Sequence, residues 1–237
     1  MSKTDISIEN IIMDNLILNI NEGRYLPDEK LPSDNELSDK YGVPRIKIRH
    51  VYERLEAMGY IYSLQGRGRF LKNRNENIEL ILSGKESFSK KIIEQGYELE
   101  SKNIFCERVP YNEKIYGELR AEKKDEIYRV GRLRIVGGEA IAIHISYVLK
   151  SVFPNIYEDG KKITSMFEYY NKNGFSNYST EKSFLSIAYP TSKERGYLEC
   201  GELVPVLKLE TNCRGGDGSI LEYTEIMYRG DRFRYQI

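Results

Sequence analysis

Two sets of arginines in this 237-residue chain stand at spacings that chemistry can use. Residues 40 to 74 hold nine Lys or Arg (Lys40, Arg45, Lys47, Arg49, Arg54, Arg67, Arg69, Lys72, Arg74) against two acids, Glu53 and Glu56. That surplus of seven positive charges sits in a chain whose 36 basic and 36 acidic residues otherwise cancel. Such a patch neutralises phosphates and releases their condensed counterions, the sequence-independent part of DNA affinity; the plain alternative is a solvated charged surface. Arg45 and Arg49 are four residues apart, so on a helix they share a face. Arg132 and Arg134 are two apart, so on a strand they point to the same side and together attract an anion. Their plain alternative is a cross-strand salt bridge to Glu222 or Glu225.

Other chemistries find little material. The two histidines, His50 and His144, come with no Ser-His-acid order, and a lone histidine on a strand is more often structural. Cys106, Cys200 and Cys213 are too few and too scattered for a disulfide framework, and no metal-ligand spacing is present, so no metal and no cofactor are expected. Hydrophobic residues at 40% and charged residues at 30% describe a chain that folds. The opening MSKTDISIENIIMDN has acids and amides where a signal peptide needs an apolar core, and no run approaches the roughly 20 apolar residues of a membrane span. A cytoplasmic protein with no membrane partner is the expectation.

The elements that must position these arginines can be read along the chain. Ile8, Ile11, Ile12, Leu16 and Ile20 recur at helical spacing on a first helix, ended by Gly23 and Pro27. Ser33 and Glu36 form a capping box for a second helix, Ser33 to about Tyr41. Gly42 permits the left-handed turn that closes it, and Pro44 pre-sets the first turn of a third helix reaching about Met58. On that third helix Ile48, Val51, Leu55 and Met58 face inward, and Arg45, Lys47, Arg49 and Arg54 mostly face elsewhere. Two strand-like runs, Tyr60 to Leu64 and Arg69 to Leu71, flank Gln65-Gly66-Arg67-Gly68, whose glycines suit a tight hairpin. A helix-turn-helix followed by a hairpin wing is predicted over residues 1–72.

The runs Leu31-Pro32-Ser33, Gly42-Val43-Pro44-Arg45, Arg49, Leu55-Glu56, Gly59-Tyr60-Ile61 and Gly66-Arg67-Gly68-Arg69-Phe70 resemble the DNA-binding domain of the GntR family, over about residues 8 to 72. The resemblance implies a dimer on a palindromic double-stranded operator, the third helix in the major groove and the hairpin tip in the adjoining minor groove. It matches Arg45 and Arg49 to the family's DNA-contacting arginines, with Arg45 reaching a base edge, and Gln65, Gly66 and Arg67 to its wing-tip contacts. Lys47 lies on the same helix. Two departures stand out. Asp34-Asn35 follows Leu-Pro-Ser where an arginine is usual, so Asn35 offers a weaker contact, and Pro44 replaces the usual Ser or Thr before the first arginine.

Residues 73–79 are polar and read as a linker. Beyond it, helical patterns at Glu86 to Gln95 and Ile163 to Asn173 alternate with extended ones at Glu98 to Arg108, Ile127 to Ile135, Ala140 to Val148, Ser179 to Ile187, Val204 to Asn212 and Ser219 to Arg229. An α+β chain is predicted, its second domain, residues 80–237, built on an antiparallel sheet. Arg132-Leu133-Arg134, Gly138-Glu139, Ile143 to Tyr147, the helix around Phe167 and the closing Tyr228 to Phe233 resemble the UTRA effector domain of the HutC subfamily, over about residues 78 to 237. The resemblance implies a fold related to chorismate lyase, a dimer, and a small-molecule effector, anionic where it is a sugar phosphate. Phosphate would then be gripped by Arg132, Arg134 and Ser87-Phe88-Ser89, with Ser165 adding a hydroxyl and Tyr228 meeting a sugar ring. His144 stands where sugar sensors often carry Glu. Tyr169, Tyr170, Tyr178, Tyr189 and Tyr223 line a polar cavity or simply pack in the sheet. A transcription regulator, most often a repressor, is the leading expectation; a lyase-like enzyme, on fold analogy alone, and a ligand-free dimerisation module are the other two.

Overall fold

Ser33 organises the first unit as its sequence predicts. In the computed structural model, which describes residues 7–73, 78–81 and 88–236, its Oγ accepts the amide of Glu36 at 3.3 Å while its own amide donates to the Glu36 carboxylate at 2.6 Å. This box opens α2 (Asp34–Tyr41), which follows α1 (Ile8–Asn21) and precedes α3 (Arg45–Ala57). Gly42 closes α2 with φ near 63°, and Pro44 lies one position earlier than expected, as the N-cap of α3. Its side chain satisfies no orphan amide there. The wing is β1 (Ile61–Leu64) against β2 (Gly68–Leu71), antiparallel, with Gly66 and Gly68 at positive φ in the turn.

Ile12, Leu16, Leu37, Ile48, Val51, Tyr52, Leu55, Ile61 and Leu71 share one core. The buried stripe of α1 includes Met13 and leaves Ile11 41% exposed, so one predicted core residue faces solvent. Tyr52, absent from the expected core, is fully buried because its hydroxyl has a partner, the Pro32 carbonyl at 2.5 Å.

The chain divides into two compact units, Met1–Asn77 with Cys200–Val204, and Ile78–Glu199 with Pro205–Ile237. The second begins with β3 (Ile78–Ile81), so Ile78 and Glu79, read as the end of the linker, are strand residues. It continues through α4 (Phe88–Glu94), β4 (Leu99–Val109), α5 (Glu113–Glu118), β5 (Ile127–Val136), β6 (Glu139–Leu149), α6 (Ile156–Asp159), α7 (Met166–Lys172), β7 (Tyr178–Ala188), α8 (Ser192–Leu198), β8 (Val206–Gly215), β9 (Ile220–Arg229) and β10 (Phe233–Gln236). Six strands form one antiparallel sheet in the order β4-β5-β6-β9-β8-β7, and β10 pairs with β3 in parallel. The α+β architecture and the six long strands follow the hydrophobic pattern; α5, α6, α8 and the β3–β10 pair were too short to register in it.

Among the described residues two apolar clusters gather in this unit. One gathers Tyr128, Val130, Val148, Phe153, Ile156, Met166 and Tyr170, and the other Ile78, Ile92, Ala142, Ile226, Tyr228 and Phe233. Along β6 the inward order is Val148, Ser146, His144, Ala142, so a polar pair separates the two clusters.

Candidate DNA interface and effector site

The α3 helix divides its charges by face. Arg54 Nη1 donates to Asn10 Oδ1 at 2.9 Å and His50 Nδ1 lies 3.6 Å from Glu9, so these two polar side chains tie α3 back to α1. Arg45 and Arg49 lie on the exposed side with Lys47 half-buried between them. Gln65, Gly66 and Arg67 are exposed at the hairpin tip, and Asn35 and Pro44 are exposed near the start of α2 and of α3. Among the described residues Arg45, Lys47 and Arg67 carry no ion pair, which leaves their donors open to phosphates or base edges. Arg49 differs, with its Nε 3.3 Å from Asp34. Ile46, 54% exposed beside Arg45, was not singled out by sequence; an exposed apolar side chain on a basic helix face is the signal, and it suits a thymine methyl group.

The second site is buried. Opposed residues across antiparallel strands share a face, and the registers Arg132↔His144↔Ile226, Arg134↔Ala142↔Tyr228 and Ser146↔Thr224 bring the expected residues together on one side of the sheet. Glu222, two residues before Thr224, faces the same way. Arg132 and Arg134 are 3% and 4% exposed. Arg132 donates to Ser146 Oγ, and Arg134 to Ser101 Oγ and to the Thr164 carbonyl at 3.0 Å. The Nε of each has no partner, nor do His144 Nε2, Thr224 Oγ1, Glu222 Oε2 or the Tyr170 hydroxyl. The Phe88 ring closes the group, 4.9 Å from the His144 ring, 5.8 Å from Tyr228 and 5.8 Å from the Arg134 guanidinium.

Around this core the remaining expected residues divide. Ser165 is the N-cap of α7, accepting the Glu168 amide at 3.3 Å, and it adjoins the carbonyl that Arg134 holds. Ser89 is half-buried in the first turn of α4, and Ser87 lies outside the described residues. Of the tyrosines, Tyr170 meets the site through Glu222; Tyr223 belongs to the opposite face, and Tyr189 is exposed. Ser146 and Thr224 do not stand out in the sequence, and Glu222 figures there only as an alternative salt-bridge partner of the arginines. The period of two along 222, 224, 226 and 228 was the available signal.

Neither arginine forms the alternative salt bridge. Glu225 faces the other side, bonded to Lys208 at 2.9 Å and to the Tyr147 hydroxyl at 3.1 Å. Glu222 acts on Arg132 only through space. Burial lowers the affinity of Arg132 for its proton, and burial followed by the neighbouring Arg132 pushes Arg134 down to about 9. His144 is held well below its usual value by burial and then by Arg134 and Arg132, so its imidazole is neutral. Burial raises the Tyr228 phenol, which therefore stays a neutral donor. Two desolvated cations with orphan N–H groups and, among the described residues, no carboxylate bonded to either are what an incoming anion would neutralise.

Residues 94–234 match the UTRA domain, and residues 9–71 match the bacterial regulatory proteins of the gntR family. The chain belongs to the GntR family and carries a UTRA domain. Similar proteins include the HTH-type transcriptional repressor NagR of Bacillus subtilis, 25% identical over 94% of this chain and 91% of that protein, and the regulator TreR of the same organism, 29% identical over 91% and 90%. A probable fructoselysine utilization operon repressor of Escherichia coli is 25% identical over 94% and 90%. PhnF from Mycobacterium smegmatis shares the fold, with a TM-score of 0.63 at 17% identity over 95% of this chain and 97% of that one. This GntR–UTRA protein is a DNA-binding transcription regulator under metabolite control, and its relatives are regulators, not enzymes. No helix among its described residues is long and apolar enough to cross a membrane.

Proposed function

We propose that this regulator senses an anionic metabolite, a sugar phosphate being the class that fits best, with the anion against Arg132 and Arg134. The observation that carries the reading is the pair of buried guanidiniums with unpartnered Nε atoms and, among the described residues, no ion pair. Ser89 and Ser165 flank the anion, Phe88 and Tyr228 pack on the body of the ligand, and Glu222, Thr224 and Tyr170 supply partners for its hydroxyls. Relatives named for fructoselysine utilization and for mannosyl-D-glycerate transport support a sugar-derived ligand. In the first unit, α3 enters the major groove of a palindromic operator, Arg45 meets a base edge, Arg49, Lys47, Asn35 and Pro44 lie along the backbone, and Gln65, Gly66 and Arg67 reach the minor groove.

A homodimer presents two such helices. The free edge of the sheet, β7, exposes Phe184, Leu185 and Ile187 and favours a second copy as its cover. The regulator works in the cytoplasm, where its DNA is.

A thermal-shift screen against sugar phosphates, free sugars, amino acids and nucleotides tests the effector. A ligand at a hundred times its Kd adds about 2.7 kcal/mol to the folded state. A phosphorylated sugar should stabilise the protein and change its affinity for DNA. A response confined to uncharged ligands, or kept in full after Arg132→Ala with Arg134→Ala, overturns the anion assignment.

A further inference from the structure

The start of α2 brings together two DNA-reading elements on one carboxylate. Asp34 Oδ2 accepts from Arg49 Nε of α3 at 3.3 Å, and Asp34 Oδ1 accepts from Arg69 Nη1 of the wing at 2.5 Å. Arg69 is itself fixed: its guanidinium lies 4.4 Å from the centre of the Tyr52 ring, and Tyr52 in turn donates to Pro32, two residues before Asp34. A second acid does the same from the other side, since Glu56 of α3 accepts the amide and hydroxyl of Ser63, the residue opposite Arg69 in the hairpin. We propose that Asp34 is a positioning residue for operator reading, which holds the wing in register with the recognition helix and aims the outer nitrogens of Arg49 at the phosphate that fixes the register of α3 against the bases.

An anchored Nε leaves the outer nitrogens of a guanidinium for a second partner. Arginine has five N–H donors in a rigid fork, so a bond through Nε fixes the plane while both Nη groups stay available. The side chain of Arg49 is 57% exposed, and such a side chain otherwise loses rotamer freedom when it binds. Asp34 also belongs to the first turn of α2, where the helix dipole favours a carboxylate. It subtracts one charge from the basic patch while ordering two others. Removing it therefore has two separable effects: non-specific attraction to any duplex rises, and discrimination falls. Support of the fold alone would move both affinities the same way.

This inference rests on the docking of α3 proposed above, and one set of titrations separates the two. The probes are a duplex selected by the wild-type protein from a randomised pool and a scrambled duplex of equal length, each titrated across a salt series. For Asp34→Asn, affinity for the scrambled duplex should rise with a slope of log affinity against log salt steeper by roughly one. The ratio of selected to scrambled affinity should fall roughly tenfold, the size of one lost base-pair discrimination. Asp34→Glu should restore most of that ratio. An unchanged ratio and slope, or equal losses on both duplexes, overturns the proposal. If Asp34→Asn does not fold, Arg49→Lys, which keeps the charge and lacks Nε, should lower the ratio with little change in slope; an unchanged ratio overturns it. Retained discrimination in Arg45→Ala would instead remove the docking reading.

Discussion

Arg45 and Arg49 on the recognition helix, and Arg132 and Arg134 on a sheet strand, are the same residue type put to opposite electrostatic conditions. The first pair lies in water, where a guanidinium is well solvated and its presence costs the fold almost nothing. The second pair is desolvated, with each cation depressing the proton affinity of its surroundings. The opposite face of the same sheet sharpens the point. There Lys208 pairs with Glu225 at 2.9 Å, Tyr223 donates to Glu210 at 2.6 Å, and Lys114 bonds Glu210 beside a cavity of about 450 Å³. Charges that hold the fold are matched. Charges that await a partner are left with unsatisfied donors, and the protein tolerates them at a cost in stability that a ligand can recover.

The comparison predicts that the two arginine pairs respond oppositely to deletion. Replacing Arg132 and Arg134 together by Met, which keeps the volume and removes the charge, should abolish stabilisation by the anionic ligand and raise the stability of the ligand-free protein by about 1 to 4 kcal/mol. Urea denaturation with and without ligand measures both, and a destabilised ligand-free variant would show that the buried charges are compensated after all. Arg45→Ala should leave stability within about 0.5 kcal/mol. It should cost about 1 to 3 kcal/mol of affinity for the selected duplex, read by titration against a scrambled one. A large loss of stability there would erase the contrast between exposed and buried arginines.

A smaller effect lies in pH. His144 has its folded-state pKa held well below the ordinary 6.5, so below that pH the unfolded chain takes up a proton that the folded chain refuses. Stability is therefore full above pH 6.5 and falls as the pH drops, by at most about 1.4 kcal/mol per unit. Urea midpoints across this range for the wild type and His144→Gln should differ in slope, with the variant flatter. Equal slopes would mean that His144 is protonated in the folded state.

How much of the molecule was legible in its residues follows the range of each signal. Capping, turn and period-two or period-3.6 patterns act within a few residues, so the helix-turn-helix, the wing and the six long strands could be read directly. Short helices such as Glu113–Glu118 and the parallel pairing of Ile78–Ile81 with Phe233–Gln236 depend on distant packing and left no local mark. Arg132 and Arg134 were legible as a converging pair. Their companions Ser146 and Thr224 were not, and Glu222 could not be told from Glu225, because they come from strands up to about ninety residues away and meet the arginines only through the register of the sheet.

The sequence by itself therefore determined which elements form, which faces carry charge, and that two arginines two apart on a strand must point the same way, since these follow from backbone geometry. Only the tertiary structure decided what those charges meet. Asp34 reads locally as a first-turn acid, and becomes a clamp on Arg49 and Arg69 only when α2, α3 and the wing pack together. Glu225 and Glu222 were equal candidates to neutralise the buried arginines, and strand register turned one to the far face while leaving the other near Arg132 with an unpartnered oxygen. Electrostatic partnership is a property of distances across the fold, and those are set by packing rather than by any spacing along the chain.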